Sequence, residues 1–197
     1  MKLVVFDSGE GCKFVAKKLK QVFRKWEIIT YEDRKNFPYG KKSRTELKIV
    51  IQKTIDEIYG LYKPDAILIA SYTPSLQIFH FLKSKSRLFK MDLPFIKNSA
   101  ILVTDGLAKS ETYLQKIKGK NITTVPISSL ANLIQNNESR RKIKNEIFNK
   151  LKRINSLKVV LGCTHLPSVL DIFRKVKPET NFIDPVEELI KNLKKIN

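Results

Sequence analysis

The chain has 197 residues, of which 42% are hydrophobic and 29% charged, values of a globular protein long enough for one large domain or two small ones. Its two cysteines, Cys12 and Cys163, exclude a disulfide framework, and no apolar run approaches the roughly 20 residues of a membrane-spanning helix. The formal net charge is +19, so anions are attracted to the whole surface.

Apolar runs of strand length alternate with segments of helical period. The run over 2–6 reads as a strand, 11–25 as a helix and 27–31 as a strand. After a polar loop, a helix is predicted over 45–59, with Ser43 as N-cap and Glu46 completing a capping box. A third strand follows over 65–70 and a third helix over 74–84, with proline at an early position. The pattern then begins again: strand 99–104, helix 106–117, strand 121–126, helices 127–136 and 139–154, strand 157–162, helix 167–176, short strand 181–184 and a closing helix from 185. Continuous β-branched runs without polar alternation indicate parallel strands buried on both faces. The expected fold is α/β, with two similar three-layer domains of mainly parallel sheet facing each other across a cleft. The boundaries read as 1–97 plus 184–197 for the first domain and 98–183 for the second.

The amino-terminal stretch meets an acid after a short apolar run and lacks a secretory pattern, so a cytoplasmic location and no membrane partner are expected. The basic residues are mostly lysine, spread along the chain on what read as solvated helix faces, with no nucleic-acid-binding motif beside them. Specific nucleic-acid binding is therefore not expected.

In open α/β sheets, sites form beyond the carboxyl ends of strands. Three segments qualify. In "FDSGEG", Asp7 and Ser8 leave a buried strand before a helix whose amino end can meet an anion or simply be capped by them. In "AILIASYTP", Ser71, Tyr72 and Thr73 follow the third strand. In "VVLGCTHLP", Cys163 sits between strand and helix, where thiol pKa values fall, and His165 two residues on is placed to polarise it. Thr164 lies between them, with capping as its alternative role. The turn "FPYGKKS" adds Pro38, Tyr39 and Gly40, a loop that brings backbone N–H groups and a phenol together. One cysteine and one histidine do not make a metal ligand set, and His80 lies in an apolar helical segment, so no metal is expected. Ser71 follows its apolar run as Cys163 follows its own, and each is followed by threonine and then proline. This weak internal repeat places residues 71 and 163 at equivalent points of two halves, a pairing suited to proton transfer at a carbon from both faces.

"VVFDSGEG", "DRKNFPYGKKSR", "AILIASYTP", "VTDGLAKSETY", "VVLGCTHLP" and "FIDPVEEL" run in order along the chain. With these segments the sequence resembles the glutamate racemases of the cofactor-independent aspartate/glutamate racemase superfamily. The resemblance implies a two-domain α/β fold with the site between the domains, no metal or pyridoxal phosphate, and glutamate or aspartate as the small-molecule partner. If the chain self-associates, a homodimer is the expected assembly. It also implies that one cysteine removes the α-proton and a second returns one on the other face. By position, Asp7 and Ser8 match residues near the family's first cysteine. Pro38, Tyr39, Gly40 and Thr73 match its substrate loops, Cys163 its second catalytic cysteine, and Thr164 and His165 that cysteine's neighbours.

The departures are specific. Ser71 stands where the family has its first catalytic cysteine, Tyr72 where it has an asparagine, and Gln135 where it has an acid assisting the second cysteine. "GEGC" replaces a glycine-rich turn and brings in Glu10 and Cys12. Serine without an adjacent base is a poor proton acceptor; Asp7 is the candidate base beside Ser71 by motif position, and Cys12 or Glu10 a candidate replacement, so the expectation is weak or altered racemase activity carried by Cys163. Two alternatives stand beside it: a non-catalytic homologue that binds an amino acid or an acidic partner, and a one-cysteine enzyme resembling the superfamily's decarboxylases.

Overall fold

The computed structural model describes residues 1–195. The chain divides into two compact units, Met1–Asp92 together with the chain from Val186, and Leu93–Pro185. The boundaries expected from sequence lay at 97/98 and 183/184.

The first unit opens with β1 (Lys2–Asp7), α1 (Gly11–Val22), β2 (Glu27–Glu32), α2 (Arg44–Tyr62), β3 (Ala66–Ile69), α3 (Tyr72–Gln77) and β4 (Arg87–Lys90). Its sheet has the order β2-β1-β3-β4, parallel throughout, with Leu3 opposite both Ile28 and Ala66. The second unit comprises β5 (Ser99–Val103), α4 (Asp105–Ala108), α5 (Glu111–Ile117), β6 (Ile122–Pro126), α6 (Ser128–Gln135), α7 (Arg140–Leu151), β7 (Lys158–Gly162), α8 (Leu170–Val176) and β8 (Asn181–Ile183). Its sheet repeats the same topology as β6-β5-β7-β8, again all parallel. Finally α9 (Val186–Lys194) packs with α1 in the first unit, where Lys18 pairs with Glu187 at 3.1 Å.

The central strands explain the continuous apolar runs. Leu3–Phe6, Ala66–Ile69 and Ala100–Val103 are wholly buried, because helices cover both faces of each sheet. One core gathers Val4, Phe6, Ile51, Ile55, Ile58 and Ile67; the other gathers Leu102, Leu130, Ile147, Leu161 and Phe173. The α2 start is as read from sequence: Glu46 N–H donates to Ser43 Oγ at 3.3 Å, and Ser43 N–H donates to the Glu46 carboxylate at 2.8 Å.

Three elements differ from the sequence reading. The third helix ends at Gln77 rather than near 84, because Ile78 leaves helical angles (φ −134°) as its side chain enters the core; a 3-10 turn, Phe79–Phe81, follows. His80 lies in that turn and is exposed, not within an apolar helix. The helix expected over 106–117 is two, since Ser110 ends the first and caps the second through a 3.4 Å bond from Tyr113 N–H. The edge strand β4, "RLFK", was not expected at all: two of its four residues are basic.

Both sheets reverse direction at their second strand. The chain runs from β1 to one side and then returns to place β3 on the other, and β5 and β7 repeat this. The carboxyl ends of β1 and β3, and of β5 and β7, are therefore the switch points at which α/β sheets bind ligands.

Candidate active site

In the first unit, β1 ends at Asp7, whose carboxylate Oδ1 accepts from Ser8 N–H at 2.7 Å and from the Ser8 hydroxyl at 3.4 Å. The Asp7 carbonyl accepts from Asp33 N–H at 2.9 Å, tying the end of β1 to the loop that follows β2. Asp33 is the centre of that loop. It is 2% exposed and accepts from Asn36 Nδ2 at 2.8 and 2.9 Å, from Tyr39 Oη at 2.9 Å and from Thr54 Oγ1 at 3.0 Å. Burial first, and then the Asp33 charge, hold the Tyr39 phenol well above its ordinary pKa, so it stays a donor. Pro38 follows a cis peptide bond, and Gly40 lies in the 3-10 turn Tyr39–Lys41. The Tyr39 phenol is thus committed to Asp33.

Ser71 caps α3 with extended backbone (φ −137°, ψ 129°), and its carbonyl accepts from Ser75 N–H at 3.2 Å. Its hydroxyl makes no hydrogen bond among the described residues, to Asp7 or to any other base. Tyr72 and Thr73 are buried in the first turn of the helix. Ser75 fixes this helix start by donating to Ile69 O and accepting from Met91 N–H, each at 3.2 Å. Cys12, the other thiol of this unit, is fully buried and donates to Gly9 O at 3.4 Å. Burial, reinforced by Asp7 and Glu32, pushes its pKa up to about 12. Glu10 is paired with Lys13 at 3.1 Å, and Lys13 also reaches Glu32 at 2.7 Å. A thiol held neutral and a paired carboxylate are poor substitutes for a missing base.

In the second unit, Gly162 lets β7 run close to β5. A Cβ there would stand 2.7 Å from Leu102 O and 2.8 Å from Val103 Cγ1. Cys163 follows immediately, 6% exposed, with Sγ 3.7 Å from His165 Nδ1. His165 Nε2 lies 2.7 Å from Gln135 Oε1, at the carboxyl end of α6. With Nε2–H donating to that oxygen, Nδ1 turns its lone pair toward the thiol. This pair is a thiol and its proton acceptor, but Gln135 carries no charge with which to hold an imidazolium. Thr164 is buried beside them.

The structure therefore brings Cys163 and His165 together, and Asp7 with Ser8. It turns Tyr39 inward and leaves Ser71 without an activating base. Asp33 is the functional candidate that sequence reasoning missed; an acid opening "DRKNFPYG" reads as a loop residue, and only Thr54, from α2, reveals it as a buried hub. Among the described residues no three His, Cys, Asp or Glu side chains are placed to hold a metal ion. Nor is any helix among them long and apolar enough to cross a membrane.

No protein-family model matches the chain. Among curated proteins, the glutamate racemase of Aliarcobacter butzleri is 30% identical over 200 residues, covering 91% of this chain and 77% of that one. The chain belongs to the glutamate racemase family. The family's enzyme from Fusobacterium nucleatum is 26% identical over 212 residues, covering 94% and 77%. Among solved structures, glutamate racemase from Campylobacter jejuni shares the fold with a TM-score of 0.85 at 23% identity, covering 100% of this chain and 86% of that one. The aspartate racemase of Picrophilus torridus is more distant, with a TM-score of 0.64 at 19% identity, covering 95% and 90%. Two parallel α/β units are thus the family architecture, and Ser71 and Cys163 stand at equivalent places in them, each just beyond the third strand of its unit.

Proposed function

We propose that this racemase-family chain binds glutamate or aspartate and moves a proton at the α-carbon through Cys163 alone, so that exchange occurs on one face and racemisation is weak. The observation that carries this reading is an asymmetry. Cys163 has a proton acceptor 3.7 Å away in His165, while Ser71 has no hydrogen-bonded base and the nearby Cys12 stays protonated up to about 12. A thiol with a pKa of about 8.5 is readily converted to a thiolate, whereas serine needs a dedicated base. Asp7, Ser8, Thr73 and Thr164, with the backbone around Pro38 and Gly40, are proposed to hold the substrate, and Tyr72 to narrow the space where the family has an asparagine. The reaction so written uses no metal or pyridoxal phosphate. The +19 charge favours capture of an anionic amino acid from the cytoplasm.

The same asymmetry suits a second reaction, protonation from one face of a carbanion left by decarboxylation. Release of carbon dioxide separates the two readings.

The test is to restore the missing side. Chiral chromatography of L- and D-glutamate and aspartate after incubation with the wild-type protein should find slow conversion. Ser71→Cys combined with Tyr72→Asn should raise it by about 10²–10⁴-fold, the contribution of a general acid–base group. No conversion of either amino acid by the restored variant, with its fold intact by circular dichroism, would contradict the reading.

A further inference from the structure

At the end of the second unit opposite Cys163, the amino ends of β5, β6 and β7 enclose a polar groove of about 600 Å³. Its cations are Lys97, Arg153 and Lys158, and no acid lines it. None of the three cations forms an ion pair among the described residues. With 38 cations to 19 acids, many surface cations lack an ion pair; these three share one groove that no acid lines.

The rim of the groove is fixed rather than loose. Asn98 and Asn121 both hold left-handed backbone (φ 55° and 50°), and Asn121 Nδ2 donates to Asn98 Oδ1 at 2.8 Å. Asn98 N–H donates to Lys120 O at 3.1 Å, and Ser156 Oγ donates to Asn98 O at 3.1 Å. This bonding leaves the Asn98 amide hydrogens, with the three cations, as donors toward the groove. Leu157 adds an exposed apolar side chain at its edge.

We infer that this groove binds a small phosphate-bearing anion, at a site separate from the Cys163 half-site. Like charges placed together on a fixed rim repel one another unless an anion neutralises them. Guanidinium and ammonium groups beside amide donors suit phosphate oxygens. The volume falls within the range of small-molecule sites. This inference does not depend on the catalytic reading.

The experiment titrates the whole protein with inorganic pyrophosphate at near-physiological salt, following backbone amides by nuclear magnetic resonance. Saturable shifts centred on Asn98, Asn121, Ser156 and Lys158 are expected. A variant carrying Lys97→Gln, Arg153→Gln and Lys158→Gln should bind at least about tenfold more weakly, since charge-assisted bonds are lost. A control with the same loss of charge, Lys17→Gln, Lys20→Gln and Lys48→Gln, should bind as the wild type does. All six residues are exposed, so both variants should fold. Shifts spread over the surface, equal weakening in both variants, or tighter binding of a single-stranded oligonucleotide that extends beyond the groove would each overturn the inference. Adenosine diphosphate binding more tightly than pyrophosphate would support it and place the organic part of the ligand on Leu157.

Discussion

Two thiols of the same chain meet opposite environments. Cys163 faces the Nδ1 lone pair of His165, whereas Cys12 faces a carbonyl at 3.4 Å, with Asp7 and Glu32 disfavouring its charge. The direction of the Cys12 shift has a consequence for stability. Its folded pKa of about 12 lies above that of the unfolded chain, so the native state keeps a proton that the unfolded state gives up. The resulting stability is complete below about pH 8.5, the thiol's unperturbed pKa, and is lost as pH rises toward 12. Chemical denaturation at pH 7, 9 and 10.5 should therefore find wild type losing stability on the alkaline side more steeply than Cys12→Ala, and α-proton exchange should survive that substitution. Gln135 is the second residue-scale lever. Gln135→Leu removes the partner of His165 Nε2, a loss of about 1–3 kcal/mol for a buried polar group, and should slow exchange at Cys163 about tenfold or more. Retained exchange in a folded Gln135→Leu protein would mean that His165 does not act on the thiol.

At the scale of elements, the site depends on how closely β7 approaches β5. Gly162→Ala would put a methyl group 2.7 Å from a backbone oxygen that cannot swing aside. Overpacking of this kind costs about 1–3 kcal/mol, so a fall in melting temperature of several degrees is expected, together with slower exchange at the adjacent Cys163. An unchanged melting temperature would mean that the strands relax without strain. Much of this level was legible in the sequence. The buried runs over 2–6, 65–70, 99–104 and 157–162 become the central strands, and Ser43 with Glu46 signalled the start of α2, because these features rest on local patterns. The β4 strand was not legible, since its place at the sheet edge is set by pairing with β3 and not by its own apolar content. Asp33 escaped for a related reason: its meaning comes from Tyr39 and Thr54, partners supplied by a loop and by a distant helix.

At the scale of the whole molecule, one topology is used twice. Sheet orders β2-β1-β3-β4 and β6-β5-β7-β8 explain why "AILIASYTP" and "VVLGCTHLP" look alike: each closes the third strand of its unit. The comparison of those two stretches was available from sequence, as was the absence of the first thiol. What needed the structure was the state of the residues around it. Among the described residues the Ser71 hydroxyl forms no hydrogen bond to a base, and Cys12 and Glu10, the nearby candidates, are respectively neutral and paired. The proposed one-sided exchange follows from this difference between Ser71 and Cys163. Proton nuclear magnetic resonance of enantiomerically pure L- and D-glutamate and aspartate in deuterated water tests it most directly, because it reads abstraction from each face separately. Loss of the α-proton signal from one enantiomer only, abolished by Cys163→Ala and with little appearance of the mirror form, is the predicted result. Equal exchange of both enantiomers, or exchange that persists without Cys163, would contradict it.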